Sequence, residues 1–295
     1  MVASKLPVLA SDDFPALHGS ANQQSMRAQR SFLRWSKIRL GGILLAAVGG
    51  AIGWTTGRLH VGGAIAVVAF AAALAAELLM AIQRPERIWY EGRTAAESAK
   101  TLTWRYMMRG ESFESDVVDA DARFLAQLKD VLRELDALPV HVLSGSGRQI
   151  SLKMREVRAL PFEERRSVYL SERIQDQEGW YAKKAAWNAK RANFWTVSTV
   201  ALEFVGLIGG VVKAVSEVNV DLLGVFAAAA AGATAWVQAK QHQKLATAYG
   251  VASQELATVA TELEAVADES PWARFVTEAE EAISQEHTLW RSSHG

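Results

Sequence analysis

Two carboxylates stand where carboxylates are costly. Glu203 falls nine residues past the start, at Phe194, of an apolar run, and Glu77 falls five residues before the end of another, residues 61–82. An ionisable group inside such a segment normally faces protein or water and often marks an ion path. Both are therefore candidates for lining a pore, Glu203 the more so because it lies deeper. The structural reading of the same positions is that Glu77 snorkels to the interface, while Glu203 is protonated or bonded to Ser198 or Thr199. Lys213 and Asp221 fall near the ends of their runs, where a charge meets the boundary of a bilayer.

Other chemistry finds little to work with. There is no Cys, which removes disulfides, thiolate catalysis and Cys-zinc sites together. The histidines, His18, His60, His141, His242, His287 and His294, have no metal-ligand spacing. Gly145-Ser146-Gly147 lacks the Lys-Ser/Thr of a phosphate loop and reads as a hinge. The paired acids Glu163-Glu164 and Glu280-Glu281 read as solvated helix faces. No nucleophile elbow, zinc-protease helix or kinase signature occurs, so we expect a non-enzyme with no catalytic residue, cofactor or metal. With 32 basic and 32 acidic residues, net charge gives no argument for a nucleic-acid partner.

The elements that carry the two carboxylates are apolar hairpins. Residues 40–56 and 61–82 are apolar limbs that turn at Gly57-Arg58-Leu59-His60, and at 1.5 Å per residue the return limb reaches about 33 Å, enough to cross a bilayer. Residues 194–215 and 220–237 form a second pair, whose return limb is Ala-rich and marginal for a full crossing. Arg27, Arg30, Arg34, Lys37 and Arg39 precede the first hairpin and Arg84, Arg87 and Arg93 follow it; Lys183, Lys184, Lys190 and Arg191 precede the second and Lys240 and Lys244 follow it. By the positive-inside rule both hairpins begin and end in the cytoplasm.

The hairpins read as copies. Trp35 and Arg39 precede the first as Trp187 and Arg191 precede the second; Gly49/Gly53 and Gly206/Gly210 give each forward limb a small-xxx-small pair for close helix packing; Thr94-Ala95 and Thr247-Ala248 follow the return limbs. Because both point the same way, the repeats are parallel.

Helical patterns surround the hairpins: 87–108, then 119–138 with Phe124, Leu125, Leu128, Val131, Leu132 and Leu135 at helical spacing, 162–191, 245–267, and 272–290 opened by Ser270-Pro271 as cap and first turn. Residues 1–25, polar with two prolines and no apolar signal core, read as a disordered tail.

The segment RTAAESAKTLTWRYMM (93–108), with Glu111-Ser112-Phe113, resembles the SLATT superfamily of bacterial two-helix membrane proteins. MREVRALP (154–161), RRSVYLSERIQDQEGWYAKKAAWNAKRANFW (165–195) and FVTEAEEAISQEHTLW (275–290) resemble a second SLATT subfamily. The positions carrying the likeness are Trp104, Arg105, Tyr106, Phe113, Arg173, Asp176, Gln177, Trp180, Tyr181 and Trp290. Packing is the simpler role for them, regulation the alternative.

The resemblance implies effectors of nucleotide-centred defence systems that perturb the membrane or form pores when a separate nucleotide-signal synthase or sensor protein acts. The expectation is an all-α integral membrane protein of the bacterial inner membrane. Two duplicated transmembrane helical hairpins make four spans, with long cytoplasmic helices and cytoplasmic termini. The first module covers 26–143, a linker 144–153, and the second 154–295. Its partners are the lipid bilayer and further copies of itself, since four helices enclose no wide path. A constitutive small-ion channel or transporter and a non-conducting membrane scaffold remain as alternatives.

Overall fold

A computed structural model describes residues 9–51, 55–56, 59–114, 118–133, 147–216 and 221–292, without the side chains of Thr55 and Leu59 and those from 285 on. Ten α-helices account for nearly all of it. In order they are α1 (Ala16–Ala51), α2 (Val61–Gln83), α3 (Pro85–Met108), α4 (Ala120–Arg133), α5 (Leu152–Ala159), α6 (Phe162–Tyr169), α7 (Asp176–Val215), α8 (Leu222–Lys240), α9 (His242–Ala265) and α10 (Glu269–Ser292). A short 3-10 turn precedes α1, and a π-helical segment, Leu170–Gln175, joins α6 to α7. Between α1 and α2, Thr55–Thr56 pairs antiparallel with Leu59–His60.

Local chemistry sets the boundaries. α2 stops at Arg84, a left-handed residue (φ 43°) whose N–H returns to the Met80 carbonyl, and Pro85 opens α3 where its missing N–H costs nothing. α8 ends the same way at Gln241, φ 50°. Ser151 caps α5 by accepting from the Met154 N–H at 3.1 Å. At α10 the helix begins at Glu269, so Ser270-Pro271 falls within its first turn instead of capping it.

The described chain divides into two compact units. A core unit comprises Met1–Ala28, Glu86–Lys184 and Ala248–Gly295; a hairpin unit comprises Gln29–Pro85 and Ala185–Thr247. The core unit closes over Trp104, Tyr106, Phe113, Phe124, Tyr169 and Trp272, all essentially inaccessible. In the hairpin unit the reverse holds, with Val68, Phe70, Val197, Phe204 and Leu207 more than half exposed. Among the described residues, three helical runs are long and apolar enough to cross a membrane: Val61–Gln83, Phe162–Val215 and Leu222–Ala265. The expected first span, 40–56, lies in α1 only as far as Ala51, and residues 52–54 are outside the described residues.

Residues 9–25 are not the solvated tail expected of them. Leu17, Ala21 and Ser25 are buried, the Ser25 hydroxyl donates to the Trp89 carbonyl at 3.1 Å, and His18 Nδ1 lies 2.9 Å from the Ala96 carbonyl. The end of the connection expected to be flexible is pinned to the same helix. The Leu17 N–H donates to Gln149 Oε1 at 3.1 Å and the Ser151 hydroxyl to the Asp13 carbonyl at 2.7 Å. Gly145 and Ser146 of the expected hinge fall outside the described residues. A polar composition hid a helix whose small face, Ala21 and Ser25, packs where Gly92 brings α3 close: a Cβ on Gly92 would come within 3.1 Å of the Ala21 carbonyl.

Burial also reveals how the halves correspond. At an offset of 152 residues, Leu17 and Tyr169, Ala21 and Arg173, Ser25 and Gln177, and Ser36 and Asn188 are all buried. From the left-handed caps onward, Arg84 and Gln241, the offset is 157, and Ala95/Ala252, Ala96/Ser253, Ala99/Leu256 and Tyr106/Leu263 are buried in pairs. α3 and α9 both have 24 residues. Thr94-Ala95 and Thr247-Ala248, 153 apart, are not equivalent positions; the second copy is five residues longer between Ser36 and Arg84.

Candidate functional site

The hairpin unit is built from small residues. Along α1, Gly42 and Gly49 stand seven apart on the face that meets α2. A Cβ at Gly42 would come within 2.7 Å of the Ala69 carbonyl, and one at Gly49 within 2.8 Å of the Gly62 carbonyl. Side chains would force these backbones apart, which is what small residues avoid in apolar helix pairs. On α2 the buried residues Gly62, Ala69, Ala73 and Ala76 complete the seam. The close-packing pair in this limb is thus Gly42 with Gly49; Gly53 lies outside the described residues. A four-residue spacing was sought, and the antiparallel seam uses seven.

The second hairpin uses glycine against larger partners. Gly206 faces Phe226 Cβ, Gly209 faces Leu222 Cβ and Gly210 faces Leu223, with a virtual Cβ at 3.1, 2.9 and 3.3 Å respectively. Gly209 was missed because only its four-spaced neighbours fit the pattern.

The two carboxylates differ sharply. Arg39 Nη1 on α1 donates to Glu77 Oε2 at 2.6 Å, so the helix already packed against Glu77 supplies its counter-ion. Glu203 is exposed, with exposed Val200, Phe204 and Leu207 around it, and makes no ion pair or hydrogen bond among the described residues. Its two expected hydroxyl partners are engaged with their own helix: Ser198 donates to the Phe194 carbonyl at 2.8 Å and Thr199 to the Trp195 carbonyl at 2.9 Å. Lys213 and Asp221 pair at 2.9 Å, joining the end of α7 to the start of α8.

Cations and indoles gather at the opposite ends of these helices. The Arg34 guanidinium lies 5.4 Å from the centre of the Trp35 ring, Arg191 lies 5.4 Å from Trp187, and Lys37 and Lys240 lie 5.8 and 5.3 Å from Trp236. His242 packs edge-on to Trp187 and its Nδ1 is 2.7 Å from Asn188 Oδ1. Burial lowers the His242 pKa, and Lys240 and Arg191 push the same way, leaving the ring neutral at pH 7.

In the core unit the positions carrying the family likeness are mostly packing residues. Trp104 meets Tyr169 edge-on at 5.8 Å and Phe14 at 6.4 Å. Tyr106 lies between Phe113 and Phe124, under the Arg158 guanidinium at 5.0 Å, and donates to Asp121 Oδ1 at 2.5 Å. Among the described residues Arg105 reaches the Glu111 carbonyl, at 3.4 Å. Trp180 packs on Tyr181 and Tyr249, while Asp176 is exposed at the start of α7. Trp290 lies in α10, beyond the described side chains.

Arg173 is the exception. It sits in the π-helical segment and donates through Nε and Nη2 to both oxygens of Glu280 at 2.8 and 2.6 Å, with both side chains inaccessible; the Tyr169 hydroxyl donates to the same carboxylate at 3.0 Å. Glu280 is therefore not on a solvated face as its pairing with Glu281 had suggested. Burial works against the charge on Arg173, and Glu280 outweighs it, leaving the guanidinium more firmly protonated than usual. Lys100 donates to Gln177 at 3.2 Å nearby, and burial together with the Arg173 charge lowers its pKa to about 8. Arg165, also inaccessible, pairs with Glu269 and donates to the Leu160 carbonyl at 3.0 Å. These groups tie α3, α6, the π segment, α7 and α10 together by charge. No group of residues able to hold a metal ion occurs among the described residues.

A charge-locked core unit beside paired apolar helices sealed by small residues defines a helical protein of paired two-helix modules, with helices long and apolar enough to cross a membrane. The family described as SMODS and SLOG-associating 2TM effector domain 3 matches residues 15–166, and the one described as SMODS and SLOG-associating 2TM effector domain 1 matches residues 169–290. The chain belongs to the SLATT superfamily and joins two of its domains in tandem. These are two-transmembrane effector domains associated with defence systems. No curated protein and no solved structure matches the chain.

Proposed function

We propose that the chain is a bacterial membrane effector whose hairpins cross the inner membrane four times, with both termini cytoplasmic, and whose copies assemble around an axis into a pore. A separate nucleotide-signal synthase or sensor protein opens it. The observation that supports this reading is Glu203, a carboxylate in an apolar run, exposed on α7 without a counter-ion among the described residues. A carboxylate in hydrocarbon needs water or protein beside it, and a path at the centre of an oligomer supplies the water. The four helices of one chain leave no wide channel, so the path requires further copies. The Arg173–Glu280 lock supports a core unit held in one state until a partner acts.

Induced expression together with a nucleotide-signal synthase or sensor protein is expected to collapse membrane potential, read with a potential-sensitive dye. Glu203→Gln is expected to shift ion selectivity or conductance in planar bilayers, and Glu77→Gln to leave both near wild type. Triggered protein that leaves membrane potential untouched defeats the proposal and favours a scaffold. Flux from purified protein with no activator makes it a constitutive channel or transporter.

A further inference from the structure

Gly42 is explained by the seam with α2, but its neighbour Gly41 is not. A Cβ at Gly41 would meet nothing within 4 Å. A glycine inside a helix costs about 0.5–1 kcal/mol relative to alanine, and here no contact among the described residues offsets that cost. What the missing side chain leaves is space. Gly41 lies in a groove of about 630 Å³ that runs between α1 and α2, walled by Ile38, Leu45, Ala64, Ile65 and Val68 and reaching Lys37 at one end. From Lys37 to Leu45 the groove is about 12 Å long, at 1.5 Å per residue.

At the mouth two cations share one ring. The ammonium groups of Lys37 and Lys240 both lie over Trp236, close enough that each repels the other, and neither has a carboxylate partner among the described residues. An indole face attracts a cation but does not neutralise it. Two unneutralised ammonium groups above an apolar slot match one kind of molecule, a negatively charged head on a hydrocarbon tail. A second copy of the chain fits the mouth poorly, because the same ends of its helices carry Arg27, Arg30, Arg34, Lys37, Lys240 and Lys244 and would set cation against cation.

We propose that α1, α2 and the end of α8 form a binding site for an anionic phospholipid, with its phosphate on Lys37 and Lys240 beside Trp236 and one acyl chain in the groove past Gly41. Basic pockets between membrane helices on the cytoplasmic side select anionic lipids in this way. The inference rests on the reading that these helices lie in the bilayer.

The test uses the full chain in nanodiscs of phosphatidylcholine with and without phosphatidylglycerol, counting retained lipid by native mass spectrometry. Wild type is expected to retain phosphatidylglycerol in preference to phosphatidylcholine, and the Lys37→Gln/Lys240→Gln double variant to lose about thirtyfold in apparent affinity. Lys244→Gln, equally basic but outside the groove, is expected to stay near wild type. Gly41→Leu, which fills open space without touching the α2 seam, is expected to lose the lipid with both lysines present. Unchanged retention in the double variant overturns the site. So does an equal loss in Lys244→Gln, which would mean a diffuse surface field, and so does displacement of the lipid by inorganic phosphate alone. A Gly41→Leu protein that keeps its lipid but changes oligomeric mass makes the groove a protein interface and also overturns it. Flotation separates this from the membrane reading: protein that floats with phosphatidylcholine vesicles yet shows no anionic preference defeats only the lipid site, whereas protein that does not float defeats both.

Discussion

The two halves bury a set of equivalent positions and carry different charges at them. Ala21 in the first corresponds to Arg173 in the second at the offset of 152, and Glu77 corresponds to Thr234 at the offset of 157, which also pairs the buried Ala73 with Ala230 and Ala76 with Ala233; Glu203 lies in the stretch where the second copy is longer, and either offset sets it against an alanine, Ala51 or Ala46. The repeat therefore keeps which positions are buried rather than what fills them, and these ionisable groups each stand in one copy only. What each of them does differs. Arg173 fastens α10 through Glu280, Glu77 fastens α2 to α1 through Arg39, and Glu203 fastens nothing among the described residues. An unshared charge with a partner is a structural device of its half; an unshared charge without one is the place to look for conduction.

The hardest test of that contrast is to remove a partnered charge. Glu280→Ala leaves the Arg173 guanidinium buried and uncompensated, and the expected loss is about 3–5 kcal/mol of core-unit stability, measured by denaturant titration in detergent. Replacing Arg173, Glu280 and Tyr169 together by Leu, Met and Phe should recover much of that loss, because the half with Ala21 packs without the charges. A triple replacement no more stable than Glu280→Ala would show that the cluster is more than a local tie.

The seams give a smaller effect. Gly49→Leu drives a side chain into the Gly62 carbonyl and is expected to cost about 1–3 kcal/mol, or to separate the limbs. Gly50→Leu, with nothing within 4 Å of its Cβ, is expected to fold as wild type. Equal behaviour of the two, judged by melting temperature and protease resistance, would dissolve the seam.

Smallest is a pH effect at Lys100, which joins the first half to the Arg173–Glu280 charge cluster. Lys100 has a folded pKa of about 8 against an ordinary value of 10.5, so below pH 8 both folded and unfolded chains hold its proton and the full desolvation cost is felt. Between those values the unfolded chain holds a proton that the folded one has released, so stability rises with pH, by about 2 kcal/mol from pH 7.5 to 9.5. Wild type should melt a few degrees higher at pH 9.5 than at pH 7.5 relative to Lys100→Met, which lacks that rise.

The helical class, the α3 and α7 segments and the tandem family could be read from sequence because apolar length and motif order are properties of the linear chain. The burial of residues 16–25 could not, since an Ala-Ser-Gln helix looks solvated until Gly92 and Trp89 are known to face it. Glu280 looked like half of an exposed acid pair for the same reason: its partner lies 107 residues away. Gly42 and Gly209 did carry a signal, a seven-residue spacing to Gly49 and an adjacent glycine at 210, but the four-residue rule passed over it. The Lys37–Trp236–Lys240 cluster comes from two ends of the sequence and had no local signature at all.

Each half also pairs an unbroken helix with a jointed one. α1 and α7 run through without a stop, whereas α2 meets α3 at Arg84 and α8 meets α9 at Gln241, each joint a single residue in a left-handed well that costs roughly 1–2 kcal/mol. The first joint is locked, because Pro85 offers no N–H and its ring would strike the carbonyl four residues back if the two rods fused. The second, Gln241-His242, has no such bolt. Flipping one residue there into the right-handed well would turn two rods into a single shaft of 44 residues, Leu222–Ala265, so the otherwise matched halves differ in which of them can straighten.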